Sequence, residues 1–445
     1  MSSTAHDRVT AASAVLLAGG AAAALGWFAP QHPAVALMAA LVVLLLGISA
    51  LKPVAVPLLT LPLLYVAARA VYGGTDISVS DVALVIGTLC ALLFVRHPIS
   101  APLRNLLWLV AVYQSATLFT VVANPYLANT LDWAHSGLLI AGGLLLGWSV
   151  GRSGFGNSAL KVMIAAALVL ATWAIGTGVL HALQGDFRPV YLPFGMHKNF
   201  LGTVMGITAL IAYIRPPWTT IGRVAGMSAF WWLVVGIGFT QSRQAVVALG
   251  LALVVLVLRS RTDRRRSKVI LLAIVPALVL VLTLVRDQVS SGNVHNSFFA
   301  RLTWFQEAMD IWQTSPIVGV GLRWWYTDRF PGGFQPPNAE LEVLTSAGIL
   351  GLLGFLVLMI GSVVVLWKLP PAYGTLAVLA VLSRFVQGQL DLFWVAAQTS
   401  IPFVIAGICL GALALRENDD AERGALDDLS LHAPESPTTT AGARP

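Results

Sequence analysis

Apolar stretches of about 17 to 25 residues, each long enough to cross roughly 30 Å of hydrocarbon, recur along almost the whole of this 445-residue chain. A soluble chain of this length would divide into two to four domains. Here 57% of residues are hydrophobic, only 11% are charged and mean hydropathy is +0.80, which is the composition of a membrane protein. The expected fold is therefore all-α and integral to the membrane, one polytopic domain over residues 1–415. Candidate spans lie near 11–28, 34–50, 54–71, 81–95, 105–123, 130–150, 159–181, 199–214, 219–240, 244–258, 269–286, 341–367, 372–388 and 394–415. One or two could be re-entrant, so about 12 to 14 transmembrane helices are expected.

Orientation follows from charge. Arg259, Arg261, Arg264, Arg265, Arg266 and Lys268 form a block that resists translocation and belongs in the cytoplasm. With that block inside, both termini are cytoplasmic. About 18 of the 27 Lys and Arg then fall on the inner side and about 9 at or near the outer side. The net charge of +7 is thus an orientation signal and does not point to nucleic acid. Residues 11–29 lack a basic flank and a cleavage site, so the first helix is expected to remain. Residues 416–445, acidic and rich in Pro and Thr, read as a disordered cytoplasmic tail. Cys90 and Cys409 both sit in apolar segments, where a thiol is a small core residue, so no disulfide and no metal are inferred from them.

One long external segment remains, about 287–340, and a loop of that length is uncommon unless functional or disordered. Phe298, Leu302, Phe305, Met309 and Trp312 repeat at steps of four and three, predicting an amphipathic helix with Asn296 or Ser297 at its start and a tight turn at Pro316, Gly319 and Gly321. Arg301 rides on this helix. Beyond it lies a basic and aromatic cluster, Arg323, Trp324, Trp325, Tyr326 and Arg329. Coverage of the bundle by a surface helix explains the apolar stripe but not that cluster.

The spans beginning near Lys198, Gln241 and Asn338 all run inward, so their unpaired N–H groups and positive dipole ends point outward. Lys198 and Arg243 are unfavourable at such ends unless an anion lies between them. Ser242, Arg243, Lys198 and Arg301 together suit a diphosphate, which arginine forks bind in bidentate fashion. Taken singly, each of these cations is as well explained by snorkelling to lipid headgroups.

Other chemistries find little support. No Asp-x-Asp or paired-carboxylate motif faces outward, no His/Cys cluster has metal spacing, and no Gly-rich phosphate loop follows a strand. Neither a metal nor a cofactor is expected. The external candidates for a general base are His135, His181, His197, His295, Asp132, Asp186, Glu340, Glu342 and Asp391.

Read in order, Ser242-Arg243-Gln-Ala, Arg301-x-x-Trp304, Ser315-Pro-Ile-Val-Gly-Val-Gly321, Pro337-Asn338, Leu341-Glu-Val-Leu344 and Gly348-Ile-Leu-Gly351 resemble the O-antigen ligase and O-antigen polymerase superfamily. The resemblance covers residues 197–360, while the N-terminal half matches in hydropathy alone. It implies an external loop over a cavity holding a polyprenyl-diphosphate-linked glycan, with Arg243 and Arg301 on the diphosphate and no metal. The family commonly has His-Asn where this chain has Pro337-Asn338, the histidine being the proposed base. Glu340 is the nearest carboxylate in sequence, and Glu340 with Asn338 are the catalytic candidates.

The reading is a membrane glycosyltransferase or ligase at the outer face of a bacterial cytoplasmic membrane, moving a glycan from a polyprenyl-diphosphate donor to a lipid or glycan acceptor. Lys198, Ser242, Arg243, Arg301 and Arg323 would bind the donor, and Trp324 and Trp325 would stack on sugar faces or anchor at the interface. A transporter or flippase of a lipid-linked intermediate is the main alternative. It predicts broken helices and ionisable groups near the midplane. A non-catalytic partner in a glycan-assembly complex is the third.

Overall fold

The computed structural model describes residues 44–45, 47–72, 75–94, 97–259, 286, 297–327, 329–330 and 333–431. The spans expected at 11–28, most of 34–50 and nearly all of 269–286 lie outside those residues. So do Asn296, His295 and the basic block beyond Arg259. The described helices are α1 (Ala55–Thr60), α2 (Val79–Phe94), α3 (Ala101–Ala123), α4 (Leu127–Gly137), α5 (Gly143–Val150), α6 (Gly156–Leu183), α7 (Lys198–Ile214), α8 (Arg223–Thr240), α9 (Arg243–Arg259), α10 (Ser297–Gln313), α11 (Ala339–Trp367), α12 (Pro371–Gly388) and α13 (Ala396–Leu431). Among the described residues one antiparallel hairpin, β1 (Arg69–Tyr72) with β2 (Thr75–Ser78), stands beside the helices.

Among the described residues five segments are long and apolar enough to cross a membrane: Ala101–Ala123, Leu127–Leu183, Arg223–Thr240, Ala339–Trp367 and Ala396–Arg423. The second is 57 residues long, too long for one crossing. Gly154, at φ +85°, breaks it between α5 and α6 and makes it two, as the separate apolar runs at 130–150 and 159–181 predict. The single helix expected over 54–71 is not formed. Pro62, which cannot donate to a helix, opens a short 3₁₀ turn after α1, and the chain is extended by Arg69. The C-terminal expectation also moves. α13 continues to Leu431, past the point where a disordered tail was read, with Arg416 and Asp420 paired one turn apart on its polar extension.

Small residues set the closest packing. Gly143, Gly147 and Gly151 recur every fourth position and face α13. A Cβ on Gly147 or Gly151 would overlap the carbonyl oxygen of Val404 or Ile408, and one on Gly407 or Gly411 would overlap that of Leu144 or Trp148. The two backbones therefore touch directly, the arrangement by which membrane helices gain van der Waals contact without a hydrophobic driving force. Gly147→Ala is expected to destabilise the protein by about 1–3 kcal/mol through overpacking, read as a lower thermal midpoint in detergent. An unchanged midpoint would mean that the helices part without cost.

α3 and α11 run antiparallel, Tyr113 and Ala116 lying on Gly354 and Leu109 on Gly361. α11 is broken at Gly348 (φ +66°, ψ −165°). The break exposes the carbonyls of Thr345 and Ser346, which accept from Val320 N (3.1 Å) and Gly321 N (2.9 Å). In return Ile349 N and Leu350 N donate to Pro316 O (2.9 Å) and Ile317 O (3.3 Å). Ser315–Gly321 is thus a strap docked into the broken helix. Its glycines at φ +74° (Gly319) and +108° (Gly321) hold the left-handed backbone that docking requires. The tight turn expected after the amphipathic helix is this strap.

At the opposite end of α11, Arg259 donates to Trp367 O (2.8 Å) and Leu369 O (3.3 Å), and its guanidinium lies 4.4 Å from the Trp367 ring centroid. The first residue of the basic block therefore caps a helix C-terminus, where a cation is favourable.

Candidate functional site at the helix heads

The heads of α7, α9 and α11 open at one end of the bundle, as the sequence predicts. Gly202, one turn into α7, packs directly on Ser242 at the start of α9. Asn199 in the first turn of α7 donates to Asp391 (2.9 Å), and Asn338 at the head of α11 donates to Gln389 O (3.3 Å). Asp391 and Gln389 belong to the loop joining α12 to α13, so one loop ties two of the heads together.

That loop is held from below by Arg384, which is fully buried in α12. Arg384 donates to Leu392 O (2.8 Å), to Phe393 O and to Gln398 Oε1 (3.1 Å). A buried guanidinium is tolerated only when such acceptors surround it. Arg384, Gln389 and Gln398 form no recognisable motif, and their joint role appears once α11, α12 and α13 are packed together.

Of the two catalytic candidates, Asn338 is engaged in structure. Its Oδ1 accepts from Leu341 N (3.0 Å), the N-cap expected of it, and its Nδ2 is turned to Gln389. Glu340 accepts from Gln389 Nε2 (2.7 Å) through one oxygen, and its other oxygen is buried without a hydrogen-bond partner.

Lys198 and Arg243 occupy the first positions of α7 and α9, each half-buried. His197 caps α7, its Nδ1 accepting from Asn199 N (3.2 Å); burial and then the neighbouring Lys198 lower its pKa against an opposing pull from Asp391, favouring the neutral ring the cap needs. Ser242 departs from expectation. It is wholly buried against Gly202, a packing residue between two heads rather than a group at the mouth of a site. Arg301 lies in α10, two turns before Ala308. Ala308 is buried, and its carbonyl accepts from Thr345 of α11 (3.3 Å), so α10 rests on the head of α11.

The basic and aromatic cluster divides. Trp324 is 1% exposed, packed edge-on against Trp325 and Phe330 with Gly333 beneath its ring, so it forms the core of the loop and cannot stack on a sugar. Arg323 pairs with Asp132 (2.6 Å). Trp325 stays partly exposed and, with Arg323, Asp132, Glu342, Ser346 and Trp394, lines a narrow crevice.

The remaining base candidates among the described residues carry partners. His135 meets Asp81 (2.9 Å), Asp186 meets Arg188 (3.0 Å), and His181 lies 3.4 Å from Arg188. No group of three or more His, Cys, Asp or Glu suited to a metal occurs among the described residues.

Residues 228–356 match the family model described as O-antigen ligase. That stretch is what the chain shares with O-antigen ligases. It runs from α8 to just past the break in α11, taking in Arg243, Arg301, the glycine strap, Asn338 and both head carboxylates. Lys198, Arg384 and Gln389 fall outside it. No curated protein matches the chain. With five helices among the described residues long and apolar enough to span, this is a multi-pass membrane protein with a region similar to O-antigen ligases.

Proposed function

We propose that the protein transfers a glycan from a polyprenyl-diphosphate carrier to a hydroxyl acceptor at the outer face of a bacterial cytoplasmic membrane. The observation that carries this reading is the gathering of three helix heads at one end, with Lys198 and Arg243 in the first turns of two of them. A cation there costs each helix about 0.3–1 kcal/mol, and a bound diphosphate reverses the sign. Arg243 and Arg301 hold the diphosphate as negative charge develops on the leaving group. Trp325 offers a face to the sugar.

The transporter reading draws on two features, the break in α11 and the buried Arg384. Transporter breaks line a cavity with freed backbone groups. Here the strap takes those groups in both directions, and Arg384 is spent on the α12–α13 loop, so an interfacial enzyme is favoured.

In a strain lacking the gene, lipid-linked glycan should accumulate on the outer face and the mature glycan should disappear. Accumulation on the cytoplasmic face alone would indicate a transporter. The topology has its own test, since Cys90 and Cys409 are both buried. With Gln184→Cys, at the end bearing the helix heads, an impermeant thiol reagent should label intact cells. With Lys368→Cys, at the opposite end, it should label only after the membrane is opened. The reverse pattern would invert the protein.

A further inference from the structure

Resting on that reading, we infer that Glu342 is the proton acceptor for the attacking hydroxyl and that the crevice beneath Trp325 receives that hydroxyl. Pro337 stands where the resemblance expects a histidine, so the proton needs another destination. The head of α11 offers two carboxylates, and their surroundings differ.

Glu340 is bound to Gln389 on the side that clamps the helix heads, and it does not line the crevice. Glu342, 3% exposed, does. Its Oε1 accepts from Gln335 Nε2 (2.7 Å). Its Oε2 makes no hydrogen bond of normal geometry, although the Phe393 amide lies near enough to influence the carboxylate. Ser346 Oγ, one turn along on the same crevice, is likewise buried without a partner. Two buried polar atoms with unused capacity on one narrow space suit a small hydroxylic group, because such atoms in native proteins are satisfied by protein, solvent or ligand. The crevice has room for about one water-sized group. Asp132 also lines it, but that carboxylate is neutralised by Arg323 at 2.6 Å. Glu342 is the carboxylate there without an ion pair among the described residues.

In the proposed step the acceptor O–H bond breaks and its proton passes to Glu342 Oε2. The acceptor oxygen bonds to the anomeric carbon. The bond from that carbon to the diphosphate oxygen breaks, and its electron pair leaves with the polyprenyl diphosphate. Ser346 Oγ orients the hydroxyl, and Trp325 covers the ring that carries it.

The test uses the full chain in lipid vesicles, with polyprenyl-diphosphate-linked glycan and acceptor both extracted from the source cells. Glu342→Gln should lower transfer about 100-fold or more while retention of polyprenyl diphosphate stays at the wild-type level. If glutamine at 342 prevents folding, Glu342→Asp, which keeps the carboxyl group and withdraws it by one methylene, should fold and still lose at least about tenfold. Near-normal transfer by Glu342→Gln or by Glu342→Asp would overturn the assignment while leaving the glycan-transfer reading intact. If the wild-type protein neither retains polyprenyl diphosphate nor transfers glycan, it is the reading of function that fails.

Discussion

Arg243→Ala and Arg301→Ala should each reduce glycan transfer by about 100-fold or more while the protein is made at its normal level. The size follows from electrostatics. Removing one preorganised donor from a developing anion costs roughly 10²–10³ in rate in systems where this has been measured, and a diphosphate leaving group spreads its charge over several oxygens. Protein level should be spared because Arg243, as the first residue of α9, opposes that helix's dipole. Removing a cation from that end is favourable to the helix dipole itself. Lysine should rescue poorly at both positions, since a point charge cannot reproduce the paired donors of a guanidinium. Full transfer by both alanine variants would mean that these cations only snorkel to headgroups.

Gly348→Val should abolish activity by a different route, through loss of the fold at the helix heads. At φ +66° a β-branched residue is strained by about 1–3 kcal/mol, and a Cβ there would also overlap the carbonyl of Ile317 in the strap. Overpacking adds about 1–3 kcal/mol more. Four backbone hydrogen bonds join the strap to α11 around this position, and forcing the strap away leaves their partners unpaired in a buried region, where each lost bond is costly. The variant should therefore show a much lower thermal midpoint and little protein in the membrane. Normal thermal behaviour would show that α11 straightens without penalty.

The chain's membrane character, most span positions and the converging heads were legible because each rests on a local signal. Apolar runs of fixed length mark the spans, and Asn338 before Ala339 marks a cap that the structure forms. What escaped depends on contacts between segments far apart in the chain. The break at Gly348 is invisible to hydropathy, since α11 is apolar on both sides of it, and it exists because Ser315–Gly321 is there to take the freed backbone groups. Trp324 and Trp325 look alike as neighbours in sequence. Gly333 and Phe330 bury the first, and the crevice leaves the second partly exposed. Arg384 gives no sign of its task until the carbonyls of Leu392 and Phe393 fold over it. Gly143, Gly147 and Gly151 recur at every fourth position, a spacing that suits close helix packing, but only the packed structure shows that they meet α13. Glu340 is the acid nearest to Pro337 in sequence, whereas it is Glu342, half a turn further on, that lines the crevice.

The central claim is most directly tested by following both products of one turnover. Purified protein in vesicles, given lipid-linked glycan and acceptor from its own cells, should release one polyprenyl diphosphate for each glycan joined, and both products should fall together by about 100-fold or more with Arg243→Ala. Movement of intact lipid-linked glycan across the bilayer, with no diphosphate released, would contradict the account.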